Sequence, residues 1–324
     1  MENSNLHASQ DEFSTLYAQV QAKYDTNLEP LATFSDSIMP AVEMVYQKYI
    51  IVSHGSPNPK CGDVRAKLYC EQTGKFLHDL LHTCHRAVCP ICWTSWIGRE
   101  TDVASERFMV GLDLLRQEYT GYQVHHVVFS APLEDYHLTP KQLRTRLNYR
   151  MKKAGVVAGL VIFHAYRFRN NRTKESVTWR HCSLNPNAEV PIVDCEEYYS
   201  PHFHVASVGY LMNVEEFYEK FGWRYRKVRP LRNLDDLRGM IWYALSHAGI
   251  AEGHHAVTWV GRFSTNSLIK DGPDEVEVIF PKCPCCKGNI IKEYVKDDWS
   301  EYGCKIQEVY SLKITRRHYK FKDG

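Results

Sequence analysis

The sequence lacks a long apolar run, which excludes a conventional membrane-spanning helix. The longest uncharged apolar run, GVVAGLVIF at 155–163, is far shorter than the roughly 20 residues that cross a bilayer. The first residues, MENSNLHASQDEF, lack the basic and then apolar pattern of a secretory signal. We therefore expect a soluble protein of the cytoplasm without a membrane partner.

A second absence is the phosphate-binding loop GxxxxGK[ST] of ATPases. This loop cradles the phosphates of a nucleotide through its backbone amides. A protein of this sequence that acts on duplex DNA would need another protein to supply the energy for unwinding.

An excess of charge of one sign is also missing, because 40 basic residues face 38 acidic ones. Residues 1–40 contain one lysine and six acidic residues, so the other 284 residues carry a charge of about +7. The basic residues cluster with aromatic ones at 141–153, 223–232 and 305–324. Such clusters suit phosphate contacts and base stacking, although any one of them could be a solvated helix face. The residues that we expect to contact DNA are Arg144, Arg150, Lys152, Arg226 and Lys227.

Changes in composition divide the chain into four segments. We predict an acidic N-terminal segment at 1–54, a zinc-binding element at 55–100, an α+β domain at 120–270 and a basic, zinc-ribbon-like tail at 275–324.

Periodicity within the α+β domain predicts an antiparallel sheet flanked by helices. Helix starts are predicted at Thr139, Asn213 and Asn233, and the last helix is predicted to end near Gly249. The predicted strands are 122–132, 155–169, 198–211 and 255–264.

Cysteine and histidine are abundant, with 11 and 16 residues. Without a secretory signal, an odd number of cysteines indicates reduced thiols that bind zinc rather than disulfides. The spacing Cys84-x4-Cys89-x2-Cys92 presents three thiolates to one tetrahedral ion. Cys70 is the predicted fourth ligand. The alternatives are Cys61, His82 and His85.

A second cysteine group, Cys283-Pro-Cys285-Cys286, is typical of half a zinc ribbon. We predict that Cys283 and Cys286 bind zinc. Its remaining ligands stay open among Cys304, His318, Cys182 and Cys195.

The segment His202-Phe203-His204 lies on a predicted strand, where residues two apart share a face. Both imidazoles can therefore hold one divalent ion, although a chain with this many histidines contains about one such pair by chance. Tyr243 and His247 lie one turn apart on a predicted helix, at the edge of its apolar stripe.

Three segments in order, HHVVFSAP (125–132), PHFHV (201–205) and YALSHAG (243–249), resemble the motifs of HUH single-strand endonucleases. This family includes rolling-circle replication initiators of plasmids and viruses and related transposases. The resemblance covers about residues 60–265 and includes the preceding cysteine cluster. It implies an HUH endonuclease fold over 120–270.

The resemblance also implies a chemistry. His202 and His204 would hold Mg²⁺ or Mn²⁺, and Tyr243 would attack the scissile phosphate. The product would be a 5′-phosphotyrosyl link and a free 3′-OH at an origin, single-stranded or hairpin. A host helicase and polymerase would then act as partners.

Some assignments remain open within this resemblance. His164 is the preferred third metal ligand and Glu197 the alternative. Ser246 stands where many relatives have a lysine, and Tyr225 is the alternative nucleophile. The competing functions are a transposase of single-strand insertion elements and a non-catalytic, zinc-dependent DNA-binding regulator.

Overall fold

The computed structural model describes residues 49–251, 254–295 and 307–322. Most of the predicted acidic segment 1–54, and Cys304, lie outside these residues. None of the described helices is long and apolar enough to cross a membrane. The described helices are α1 (Trp93–Glu118), α2 (Pro140–Lys153), α3 (Val214–Phe221) and α4 (Leu234–Ser246).

The strands are short except for two of 15 residues in the centre of the molecule. They are β1 (Ile50–Ile51), β2 (Val64–Cys70), β3 (Phe76–Leu81), β4 (Val124–Ser130), β5 (Val156–Asn170), β6 (Ser176–Val177), β7 (Cys195–Gly209), β8 (Arg224–Pro230), β9 (Gly249–Ile250), β10 (Val257–Gly261), β11 (Leu268–Lys270), β12 (Glu275–Ile279), β13 (Ile290–Tyr294), β14 (Gln307–Val309), β15 (Leu312–Arg316) and β16 (Tyr319–Phe321).

The central sheet has the strand order β10-β5-β7-β4-β8, with β6 paired to β5. All of its pairings are antiparallel. Since helices cover this sheet, the predicted α+β class with an antiparallel sheet is confirmed.

The two faces of the sheet bury different helices. Phe203 and Val205 of β7 pack with α2 and α3 in one apolar cluster. Ala206 and Val208 face the other way and pack with α1 and α4 in a second cluster. This alternation follows from the two-residue period of a strand. Each fully buried apolar side chain contributes about 1.5–3 kcal/mol.

The predicted helix starts are confirmed. Thr139 forms a capping box with Gln142 at the start of α2. The Asn213 and Asn233 side chains accept backbone N–H bonds at the starts of α3 and α4. Such caps satisfy amides that have no partner within the helix.

The predicted end of the last helix was wrong. Helix α4 ends at Ser246 rather than near Gly249. Gly249 and Ile250 instead pair as β9 with Ile51 and Ile50 of β1. This pairing between distant segments takes the backbone out of the helix.

Segment 223–232 is an edge strand as well as a basic cluster. Along β8 the buried Tyr225 alternates with the more exposed Arg224 and Arg226. An edge strand tolerates such charges because one side of it stays unpaired.

A second sheet joins distant parts of the chain. Its order is β14-β13-β2-β3, and β13 pairs antiparallel with β2. The predicted zinc-binding element at 55–100 and the predicted tail at 275–324 therefore contribute to one sheet.

Candidate metal centre

Strands β5 and β7 bring three predicted ligands together. His164 lies directly opposite His202, and Ile162, on the same face of β5, lies opposite His204. The nearest ring nitrogens of His164, His202 and His204 all lie within 4.8 Å of one another. All three side chains are buried, so they form a group that could hold a metal ion.

Hydrogen bonds orient two of these rings. The Nδ1 of His202 lies 2.8 Å from the carbonyl oxygen of Ser200. Because a carbonyl only accepts, Nδ1 carries the proton and Nε2 keeps a free lone pair. The Nδ1 of His204 lies 2.9 Å from Nε2 of His126 on β4. When His204 is the donor, its Nε2 is also free to coordinate an ion.

His164 has both ring nitrogens buried without a hydrogen bond of normal geometry, and its polar contact is a weak one with the Ala244 backbone. Its ring centroid lies 4.4 Å from those of His204 and His247. Buried imidazole nitrogens normally find a partner. A bound ion would satisfy one of those on His164.

Burial keeps the whole cluster neutral. It lowers the pKa of His126 and of His164 to about 3. It also holds the pKa values of His202, His204 and His247 well below their usual range. Neutral imidazole is the form that binds a metal ion.

Tyr243 lies on α4 beside this cluster. Its ring centroid is 4.7 Å from that of His247 and 6.2 Å from that of His204. The Arg180 guanidinium lies 6.0 Å from the same ring. The side chain is half-buried, so it can meet a ligand from solvent.

The alternative nucleophile, Tyr225, lies elsewhere. Its ring packs against Phe129 and Phe217, and its hydroxyl donates to the Met212 carbonyl oxygen. Tyr225 is buried in the cluster that contains α2 and α3, on the opposite sheet face from the histidines. Glu197, the alternative third ligand, is not a member of the histidine group.

A cavity of about 90 Å³ is lined by His202, His204, His247 and Tyr243, whereas His164 does not line it. Arg167 and Arg226 line it. Arg167 donates a hydrogen bond of 2.7 Å to Ser130 Oγ. Two guanidinium groups beside the histidines make the cavity suitable for an anion such as phosphate.

An insertion between β5 and β7 forms one wall of the cavity. Its Trp179 stacks on His247 with ring centroids 5.6 Å apart and lines the cavity. Cys182 and Cys195 close the insertion with a disulfide. The expectation of reduced thiols was therefore wrong for this pair, because the insertion folds back and brings their Cα atoms to 5.5 Å.

The predicted DNA contacts lie in different environments. Lys152 and Lys227 are exposed, and Arg226 lines the cavity. Arg144 is partly buried and donates to the His255 carbonyl oxygen at 3.1 Å. Arg150 stacks on Trp223 at 4.6 Å and lies 3.9 Å from an Asp135 carboxylate oxygen.

The first cysteine group consists of Cys61, Cys84, Cys89 and Cys92, with sulfurs within 4.8 Å of one another. The assignment of Cys70 to this group was wrong. Cys61 precedes β2 and Cys70 ends it, and a strand of this length separates its ends by about 20 Å. The group supplies four cysteine ligands, which is one of the ligand sets of a tetrahedral structural zinc site.

Cys70 instead joins Cys283 and Cys286 in a second group. Cys285 is exposed, and His318 lies 3.3 Å from Glu275. Among the described residues, neither of these nor the Cys182–Cys195 pair belongs to the group. Both cysteine groups could hold a metal ion such as zinc.

The site also contains His126 and Arg167, which were not predicted to belong to it, and His247, which was placed beside Tyr243 but not beside the metal ligands. His126 belongs to HHVVFSAP, and His247 follows Tyr243 by one turn. The proximity of these residues to His164, His202 and His204 depends on strand register and on the position of α4, which sequence periodicity does not determine.

The chain matches no family model, no curated protein and no solved structure.

Proposed function

We propose that the protein is an HUH-type single-strand DNA endonuclease that starts rolling-circle replication. The observation that carries the proposal is the juxtaposition of Tyr243 with three buried histidines whose ring nitrogens converge. Metal ligands and a tyrosine hydroxyl at one cavity are the groups needed for tyrosine-mediated phosphoryl transfer.

His164, His202 and His204 would hold the divalent ion. Three imidazoles suit Mn²⁺ better than Mg²⁺, which prefers oxygen ligands. The nitrogens of His164, which make no hydrogen bond of normal geometry, fit a site that is completed by an ion. When bound, the ion would polarise the scissile phosphate and position it.

Tyr243 would supply the nucleophile. Its hydroxyl oxygen attacks phosphorus, and the bond from phosphorus to the 3′ oxygen breaks. The tyrosine proton is released and the departing 3′ oxygen gains one, which gives a 5′-phosphotyrosyl strand and a free 3′-OH. The new ester keeps the phosphodiester energy for later religation.

Arg167 and Arg226 would hold the phosphate in the cavity. Guanidinium groups present several N–H donors to phosphate oxygens and stay charged at any physiological pH. Exposed Lys152 and Lys227 would add weaker contacts along the strand.

The partners follow from this chemistry. Origin DNA, single-stranded or in a hairpin, would be the substrate, and a polymerase would extend the 3′-OH. A host helicase would unwind the duplex, because this sequence contains no P-loop. A transposase of single-strand insertion elements would use the same steps.

The test is cleavage of single-stranded and hairpin oligonucleotides in the presence of Mn²⁺. We expect wild type to cleave and to form a covalent adduct that mass spectrometry places on Tyr243. Tyr243→Phe should form none. Tyr225→Phe, which also removes one hydroxyl, should retain both activities if it folds. An adduct on another residue, or equal cleavage by Tyr243→Phe, would refute the role of Tyr243.

A second test separates the enzyme from a DNA-binding regulator. His202→Ala should abolish cleavage and retain most DNA affinity, because affinity comes mainly from phosphate contacts. DNA binding by wild type without cleavage of any origin-like oligonucleotide would favour the regulator.

A further inference from the structure

Two turns of the second cysteine group have the same backbone hydrogen bonds. The Cys70 N–H donates to the Lys75 carbonyl oxygen at 2.9 Å, and the Cys70 carbonyl oxygen accepts from the Gly74 N–H at 2.8 Å. The Cys283 N–H donates to the Gly288 carbonyl oxygen at 2.9 Å, and the Cys283 carbonyl oxygen accepts from the Lys287 N–H at 2.9 Å. In both turns the partners lie five and four residues after the cysteine.

The backbone conformation matches as well. Gly74 and Lys287, each four residues after the first cysteine, have φ values of 65° and 60°. This left-handed conformation is uncommon for a lysine. It turns the chain sharply after the third residue beyond each cysteine.

The two turns face each other across the paired strands β2 and β13. Ile290 lies opposite Cys70, and the Glu71 N–H bonds the Asn289 carbonyl at 3.1 Å. A Cβ built on Gly288 would lie 2.7 Å from Gln72 Cδ. The molecule therefore contains two cysteine turns of one backbone geometry, packed closely together.

Their ligand positions differ at one residue. The second turn carries cysteine at its first and fourth positions, Cys283 and Cys286. The first turn carries Cys70 and then Thr73. Because the two turns match, Thr73 stands at the position that Cys286 holds in the second turn, where a fourth thiolate would complete the site.

We propose that Cys70, Cys283 and Cys286, the members of this group among the described residues, bind zinc through three thiolates and leave the fourth coordination position at Thr73 open. Thr73 is exposed, so water or a small exogenous ligand can occupy that position. Three protein ligands with one open position distinguish such a site from a closed structural one. The proposal is independent of the nickase function.

The site also has a structural consequence. Its ligands come from β2 and from the turn before β13, so zinc would join segments that are more than 200 residues apart in sequence (Cys70 and Cys286 are separated by 216). A metal bound only by the folded state stabilises that state.

The first test is zinc content by mass spectrometry of the purified full chain. We expect two zinc ions per chain for wild type and one for Cys283→Ser. The matched control is Cys285→Ser, which removes the exposed neighbouring thiol and should leave two. One zinc in wild type, or equal content in Cys283→Ser and wild type, would overturn the site.

The second test is zinc X-ray absorption, which separates Zn–S distances near about 2.3 Å from Zn–O or Zn–N distances near about 2.0–2.2 Å. Thr73→Cys should raise the sulfur fraction and slow zinc transfer to a chelator several-fold. Because Thr73→Cys adds a ligand instead of removing one, a change in its sulfur fraction cannot be explained by loss of the folded structure. An unchanged sulfur fraction in Thr73→Cys, or a lower one in Cys304→Ser, would overturn the open position.

Discussion

Replacing His164 by leucine should stabilise the protein in the absence of divalent ions bound at the histidine cluster. Neither buried ring nitrogen of His164 makes a hydrogen bond of normal geometry, although a weak contact with the Ala244 backbone opposes the effect of burial on its pKa. A buried polar group without a good partner costs about 1–3 kcal/mol. Leucine is of similar size and has no polar atom. We therefore expect a gain of about that amount in the free energy of unfolding at pH 7.5.

The gain should increase in acid. Burial lowers the pKa of His164 to about 3, whereas a histidine in an unfolded chain has a pKa of about 6.5. Between these values only the unfolded state binds the proton, so stability falls as pH decreases below about 6.5. The loss for this one residue is close to zero at pH 7.5 and about 2 kcal/mol at pH 5. Leucine cannot take up the proton.

The assay is urea unfolding followed by tryptophan fluorescence at pH 7.5 and pH 5, without added divalent ions. Exposed His137 provides the control variant His137→Leu. Acid also weakens zinc binding by thiolates, but this effect is common to all three proteins and cancels in their differences. If the advantage of His164→Leu over wild type is the same at both pH values, His164 is not held neutral by burial and the reasoning fails.

Four further substitutions test other parts of the structure. His126→Leu should weaken Mn²⁺ binding about 10–100-fold in calorimetry by removing the hydrogen bond to His204; unchanged affinity would contradict that role. Leu147→Ala, in the core of α2, should cost about 2–5 kcal/mol in urea unfolding; a loss below about 1 kcal/mol would mean that α2 is not packed there. Lys227→Ala should lower the slope of log affinity for DNA against log salt by about 1. Arg150→Ala should leave that slope unchanged and lower stability, because Arg150 stacks on Trp223; the opposite pattern would place Arg150 in the DNA contact.

Local features of the fold could be predicted because their causes are local. A helix cap such as Thr139 or Asn213 is decided within one turn of chain, and both starts agree with the structure. The end of α4 was not predictable in this way. Pairing of Gly249 with Ile51 ends it, and the two residues are far apart in sequence.

The edge strand β8 was not predicted, because its strongly basic composition indicated a nucleic-acid contact instead of a strand. The alternation of buried Trp223 and Tyr225 with exposed Arg224 is a two-residue period. That period is the signal that could have identified the strand.

The cysteine assignments show where spacing stops being informative. Cys84, Cys89 and Cys92 lie within nine residues, so one turn of chain suffices to bring them together. The choice of Cys61 or Cys70 as the fourth ligand of the first group depends on β2, which takes Cys70 to the turn at Cys283. The pairing of β2 with β13 places Cys70 beside Cys283, and the sequence spacing does not indicate this pairing.

The histidine cluster contains residues placed by local periodicity and residues placed by long-range packing, and it also bears on function. His202 and His204 share a face by strand periodicity, whereas His126, His164 and His247 reach them through register and helix packing. All five imidazoles are buried, and no carboxylate belongs to the described ligand group. Each imidazole lowers stability in acid, and neither ring nitrogen of His164 makes a hydrogen bond of normal geometry. An apolar core at this position would be more stable, so stability alone does not account for the cluster, whereas the metal binding that we propose would.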